Sequence, residues 1–364
     1  MNVTNEGGAL GRKSLSIDSN FGPLLKYIEN PDVTDIDFNG SALWINDIYT
    51  SKKMVNEPIV NEQWVCSLVN RIADSTGSRF NQMSPVLEVE TDSLRITCVH
   101  SKNSIKGVSM CIRKTSKRPR ITYESALRDN YASRPVLNFL ISCVIAKMNI
   151  VVCGEPSIGK TEFAKFLCSY VPSDEKVITI EDVPEWHYKD NRPDADCIEL
   201  KTSDVFGYTE AIKVCMRLNP ERIMLSEVRS REAGSFIECW STGVKGITTI
   251  HADDVSYIPE RLLNMMDSVD ADRLKNDIYN SLDIGVLVRK RTVYDDEKGE
   301  VIYRYIDQVG IFERKNQVNK CQCIVMDGAL VQGDSNSPNA ITLSSSKLKK
   351  FKFAGISSPF ADPF

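Results

Sequence analysis

Eight consecutive residues, Gly154-Glu155-Pro156-Ser157-Ile158-Gly159-Lys160-Thr161, fit the pattern G-x-x-x-x-G-K-[ST], which fixes a local fold before anything else in the chain is considered. The run Met148 to Cys153 ahead of them is apolar and reads as a buried strand; the segment behind them reads as a helix. The loop therefore joins the carboxyl end of a strand to the amino end of a helix. In that setting successive N–H groups and the helix N-terminus converge where a phosphate would sit. Lys160 is placed for β- and γ-phosphates and Thr161 for Mg²⁺, with Glu162 next in line. A bound nucleoside triphosphate is the expectation, and a plain glycine turn before an ordinary helix is the competing reading.

The sequence around this loop supports an α/β fold. Strand candidates at 149–153, 177–180, 222–225 and 246–250 alternate with helical patterns, which implies a mainly parallel sheet. Ala211, Val214, Cys215 and Leu218 fall at i, i+3, i+4 and i+7, an apolar stripe that belongs on a sheet. Upstream, 35–40 and 42–45 read as a hairpin, 63–73 as a helix, and 93–99 and 108–112 as short strands. The resulting division is a smaller α+β N-terminal domain over 1–118, a basic and polar linker over 119–133, a nucleotide-binding domain over 134–331, and a polar, mobile tail over 332–364. Within that tail Phe351, Phe353, Phe360 and Phe364 stand among lysines and small residues, as either a docking segment or a packed C-terminus.

Bulk properties exclude more than they assign. With 364 residues, 42% hydrophobic and 26% charged, the chain can bury a sizeable core, and its net charge of −4 argues against an obligatory nucleic-acid binder. One basic cluster, Arg113 to Arg120, reads as a linker face. The eleven cysteines show no paired C-x-x-C spacing, so reduced, cytoplasmic thiols are expected. The most apolar stretch, 136–153, is interrupted by Asn138, Ser142, Lys147 and Asn149, so no transmembrane segment is expected.

In open α/β sheets ligands bind beyond the carboxyl ends of the strands. Reactive groups stand there: Glu181 and Asp182 after 177–180, Ser226 and Glu227 after 222–225, and His251 after 246–250. Glu227 is the candidate for orienting or deprotonating an attacking water, against the reading of an acid favoured by a helix dipole. Glu181 and Asp182 are candidates for a Mg²⁺-bound water, against a solvated acidic turn. His251 is a candidate γ-phosphate sensor, against an ordinary hydrogen-bonded histidine.

Together these segments resemble the superfamily of ATPases that powers type II secretion, type IV secretion and conjugation, and type IV or tight-adherence pilus assembly. Residues 179–185 resemble its acidic box, 222–229 its atypical Walker B and 241–252 its histidine box. Residues 32–40 resemble its opening motif. Leu94-Arg95-Ile96 and Ser109 to Lys114 resemble the segments carrying nucleotide-facing arginines, which makes Arg95 and Arg113 candidates. The resemblance implies a RecA-like P-loop domain, ATP as the nucleotide, a homohexameric ring, membrane-embedded secretion or pilus platform proteins as partners, and a cytoplasmic location peripheral to the membrane.

The chain departs from that pattern in two places: Ser226 replaces a glycine before the glutamate, and Gly243 is followed by Val244 where the box's first histidine is expected. Lys245 stands as a candidate replacement charge. Four-cysteine metal spacing is absent, which favours the conjugation and tight-adherence branch. Two other functions remain in view, an ATP-dependent assembly scaffold with little turnover and a RecA-like DNA motor using the basic cluster.

Overall fold

A computed structural model describes residues 21–363 except 92, 267–269, 297–298, 332–340 and 342. The described residues form two compact units, one drawn from 21–116 with 294–302, the other from 117–293 with 303–363.

The first unit opens with α1 (Leu25–Glu29), followed by β1 (Val33–Phe38), β2 (Leu43–Asp47), β3 (Lys53–Val55), α2 (Glu62–Thr76), β4 (Val86–Glu90), β5 (Leu94–Val99) and β6 (Ser109–Lys114). Its six strands pair antiparallel in the order β3-β2-β1-β6-β5-β4, so the expected hairpin is present as β1 and β2. Strict alternation buries Leu94, Ile96 and Cys98 of β5 on one face, where α2 adds Val65, Leu68, Val69 and Ile72. The Asn61 side chain caps α2 by accepting the Trp64 N–H at 3.0 Å. Residues returning from far along the chain complete the unit: the Ile302 N–H donates to the Tyr49 carbonyl at 2.6 Å, and Thr50 bridges Val301.

The second unit comprises α3 (Tyr123–Arg128), α4 (Arg134–Ile145), β7 (Ile150–Cys153), α5 (Lys160–Cys168), β8 (Val177–Glu181), α6 (Tyr188–Asn191), β9 (Cys197–Lys201), α7 (Tyr208–Cys215), β10 (Arg222–Leu225), α8 (Glu232–Ser241) and β11 (Lys245–Ile250). It continues with α9 (Ile258–Asn264), α10 (Ala271–Ser281), β12 (Ile284–Asp295), β13 (Gly299–Lys315), β14 (Val318–Met326), β15 (Ala329–Leu330) and α11 (Ser345–Phe353). Its sheet runs β15-β14-β13-β12-β7-β11-β10-β8-β9, and the six strands from β12 to β9 are parallel neighbours. Both faces are covered. Ile150 and Val152 of β7 pack with α4 and α5, whereas Val151 and Cys153 pack with α7 and α8. Arg222, buried at the start of β10, is neutralised by Glu175, whose carboxylate accepts from Nε at 2.5 Å. All eleven cysteines are free thiols.

Three expectations change. The stretch 119–133 is folded rather than a bare linker: Thr122 caps α3, and Ala126, Tyr131 and Ala132 join the core, because short apolar residues there find α4 and α5 beside them. The tail from 332 was expected to be mobile; 332–340 and 342 lie outside the described residues, but α11 is a packed helix. Its Phe351 is buried, Phe360 stacks on Phe139 at 4.8 Å, and Lys347 and Lys350 close on Asp283. Finally, Lys245 cannot replace a charge at the loop 154–161. It begins β11, in register with Arg222, at the amino ends of the parallel strands, where it feels Lys350, Asp283 and Lys347.

Candidate functional site

Parallel pairing brings the carboxyl ends of β7, β8, β10 and β11 to one side, and the loop 154–161 closes over them before entering α5. The loop's shape depends on two glycines. Gly154 has φ 144°, and a Cβ there would lie 2.5 Å from the Val288 carbonyl oxygen; Gly159, at φ 100°, sits at the head of α5. Ser157 also adopts positive φ, 58°, while Glu155 and Pro156 form the exposed crest and Ile158 is buried beneath.

Lys160 folds back under this loop. Its Nζ donates to the carbonyls of Gly154 at 3.1 Å and Glu155 at 2.9 Å, and lies 3.1 Å from His251 Nδ1. Burial pushes its pKa down to about 8, against the pull of Glu227. His251 Nδ1 also lies 3.2 Å from the Gly154 carbonyl oxygen, so it accepts when it faces the ammonium and donates when it faces that carbonyl, as the tautomer dictates. The other ring nitrogen, Nε2, lies 2.6 Å from Glu227 Oε1. The other Glu227 oxygen accepts from Arg229 Nε at 2.6 Å, and Arg229 Nη1 donates to Asp182 at 2.9 Å. Lys160, His251, Glu227, Arg229 and Asp182 thus form one continuous polar chain.

Glu181 is turned away from that chain. Its carboxylate accepts the backbone N–H groups of Glu185 and Trp186 at 2.6 and 2.9 Å, and burial pushes its pKa up to about 8. Glu185, which the sequence reading left without a role, reaches the loop instead: its carboxylate, raised in pKa by burial, accepts a hydrogen bond from the Thr161 hydroxyl. Its place at the end of the acidic box was the available signal; the turn that folds it back was not legible. Glu162 is occupied at its side chain by the Arg120 N–H and Lys165, both at 3.1 Å. Ser226 is absorbed by a hydrogen bond with the Tyr208 hydroxyl at 3.1 Å, and Val244 packs against the core. Arg95 and Arg113 face each other across β5 and β6 of the first unit, where Arg113 pairs with Asp35 at 3.0 Å. Among the described residues no group of three His, Cys, Asp or Glu side chains could itself hold a metal ion, and no helix is long and apolar enough to cross a membrane.

Comparison with known proteins agrees with this architecture. An uncharacterised protein of Bacillus anthracis is 32% identical over 283 residues, 76% of this chain and 64% of its own length, so the matched region spans under two thirds of that relative. The type IV secretion system protein VirB11 of Brucella suis is 27% identical over 284 residues, 70% of this chain and 79% of its own. Among solved structures, the ATPase DotB of Legionella pneumophila superposes with a TM-score of 0.58 at 15% identity, covering 79% of each chain. The pilus retraction motor PilT with bound ADP superposes with 0.55 at 14% identity, covering 78% of this chain and 81% of that one. Residues 87–330 match the family model described as type II/IV secretion system protein, and the chain belongs to that family.

Proposed function

We propose that this protein is a cytoplasmic ATP hydrolase that works as a homohexameric ring and drives a type II or type IV secretion or pilus-assembly machine through membrane-embedded platform proteins. The observation that carries the reading is the direct line from Lys160 through His251 to Glu227, which joins the phosphate loop to the acid after β10.

The residues present suit Mg²⁺-ATP. The glycine cradle and the buried Lys160 ammonium, held by two carbonyls of its own loop and by His251, suit a polyphosphate. The Thr161 hydroxyl beside the Glu185 carboxylate offers hard oxygens to a cation that otherwise keeps phosphate and water ligands. Bound Mg²⁺-ATP would supply the reactive phosphoryl group and the charge neutralisation. Within the chain, Lys160 would move from the loop carbonyls to phosphate oxygens, and Asp182, whose charge Glu185 feels, would be the acid that biases the metal's water shell. Glu227 orients and deprotonates water; His251, released from Lys160, reports the γ-phosphate; Glu181 shapes the turn that carries Glu185. Arg95 and Arg113, in segments resembling those that carry nucleotide-facing arginines, are assigned to nucleotide binding.

The test is steady-state phosphate release with Mg²⁺-ATP, wild type against Glu227→Gln, across protein concentrations. Loss in the variant with cooperative wild-type activity is expected. Wild-type release no better than the variant's would sink the motor and leave a nucleotide-dependent scaffold.

A further inference from the structure

Strand β13 brings to the phosphate loop a cation that lies outside every motif considered so far. The rings of Tyr303 and Tyr305 both stand 5.8 Å from the Arg291 guanidinium carbon, so these two residues share a face of the strand. Arg304, between them, projects from the opposite face. There its stem runs along the loop: a Cβ built on Gly159 would lie 3.8 Å from Arg304 Cδ, ordinary van der Waals contact, and the guanidinium begins one bond further out. The strand is fixed at this place. The Ile306 N–H donates to the Tyr131 carbonyl at 2.8 Å, and the Tyr131 ring stacks on Phe163 of α5 at 5.4 Å. Tyr131 senses the charges of both Arg304 and Glu162, which sets the guanidinium near the first turn of α5. The Tyr131 hydroxyl is itself buried without a hydrogen-bond partner among the described residues.

We propose that Arg304 is a second phosphate-binding cation, delivered within the same chain by β13 to the N-terminus of α5 beside Gly159. The inference rests on the nucleotide-binding reading above. A guanidinium suits this position: it is always charged and can grip two phosphate oxygens through parallel N–H groups. Because Gly159 heads the helix rather than capping the far end of the site, the contact is made to phosphates that ATP and ADP share.

The experiment is equilibrium binding of fluorescent N-methylanthraniloyl ATP and ADP to the full chain. Four proteins are compared: wild type, Lys160→Ala, Arg304→Met, which keeps the stem without the charge, and Arg304→Lys, which keeps the charge without the fork. Arg304→Met should weaken both nucleotides about 10-fold, the loss expected for one charge-assisted contact, and Arg304→Lys should recover part of it. A merely packing role predicts that Met serves as well as Lys. If wild type binds, Lys160→Ala does not, and Arg304→Met equals wild type, the role of Arg304 is overturned while the nucleotide site stands. If wild type binds neither nucleotide, both readings fall. A destabilised Arg304→Met leaves the comparison of Arg304→Lys with wild type decisive: full affinity in that protein, with its changed donor geometry, contradicts a bidentate grip.

Discussion

Replacing Asp283 with Ala should detach the C-terminal helix while leaving the nine-stranded sheet folded. Asp283 is buried to 2% exposure; it accepts the Asn149 N–H at 2.9 Å and both Lys347 and Lys350 close on it, the latter at 2.7 Å to each oxygen. Removing the carboxylate leaves Lys347, itself 6% exposed, without its counter-charge. Stranding one partner of a buried pair costs about 3–5 kcal/mol. Against that, α11 is anchored mainly by Phe351, worth about 1.5–3 kcal/mol of burial. Release is therefore cheaper than retention, and release caps the damage. Hydrogen exchange read by mass spectrometry should find 345–353 deprotected in the variant and β7 unchanged, and adding Lys347→Met should restore part of the protection by removing the stranded charge. Unchanged protection over 345–353 in Asp283→Ala would refute the reasoning. The pH dependence has a definite sign. Burial alone would raise the Asp283 pKa, but Lys347 and Lys350 outweigh it and hold the group below the ordinary carboxylate value. The stabilisation is present above the unfolded value of about 4 and disappears only as pH falls below it toward the lower folded value, so α11 should stay docked at mildly acidic pH.

Lys160→Ala should abolish phosphate release; turnover like wild type would remove the phosphate-loop assignment. Glu185→Gln should raise the Mg²⁺ concentration for half-maximal phosphate release by roughly 10-fold, as loss of an outer ligand partner does, and an unchanged Mg²⁺ titration would dismiss its pairing with Thr161 as functionally idle. Gly154→Ala must relieve a 2.5 Å approach to the Val288 carbonyl at φ 144°, so thermal unfolding should report a loss of about 1–3 kcal/mol, and a variant as stable as wild type would contradict the strain.

The loop 154–161 was legible because its pattern demands particular residues in a particular order, and β7, β8, β10 and β11 because buried runs leave no polar alternation to mislead, whereas the half-exposed β9 went unread. Glu227 and His251 follow from the same logic, since strand ends in such sheets are where side chains meet. Lys245 failed for a related reason: it belongs to the right strand but the wrong end, and a place in the segment resembling a histidine box does not announce direction. Glu185 was hidden because Glu181, the last residue of β8 and four positions earlier, takes two backbone donors and folds the next turn back on Thr161. The C-terminal helix was hidden differently. Its lysine-rich composition reads as solvated, and the acid that draws it in stands 64 residues earlier in the chain. Arg304 carries no motif; only the close passage of β13 past Gly159 makes it visible.

The discontinuous first unit has a consequence for biosynthesis. Its pairing at Tyr49 and Thr50 is supplied by Val301 and Ile302, so the segment preceding residue 117 emerges from a ribosome lacking part of its own complement. At 5–20 residues per second the missing stretch follows roughly 10–40 s later, after β7 to β11 of the neighbouring unit have been made. During that interval the Tyr49 carbonyl, between β2 and β3, lacks its Ile302 donor, a window in which a chaperone or a sister nascent chain competes for it, and a messenger truncated upstream of residue 294 would leave that window permanently open.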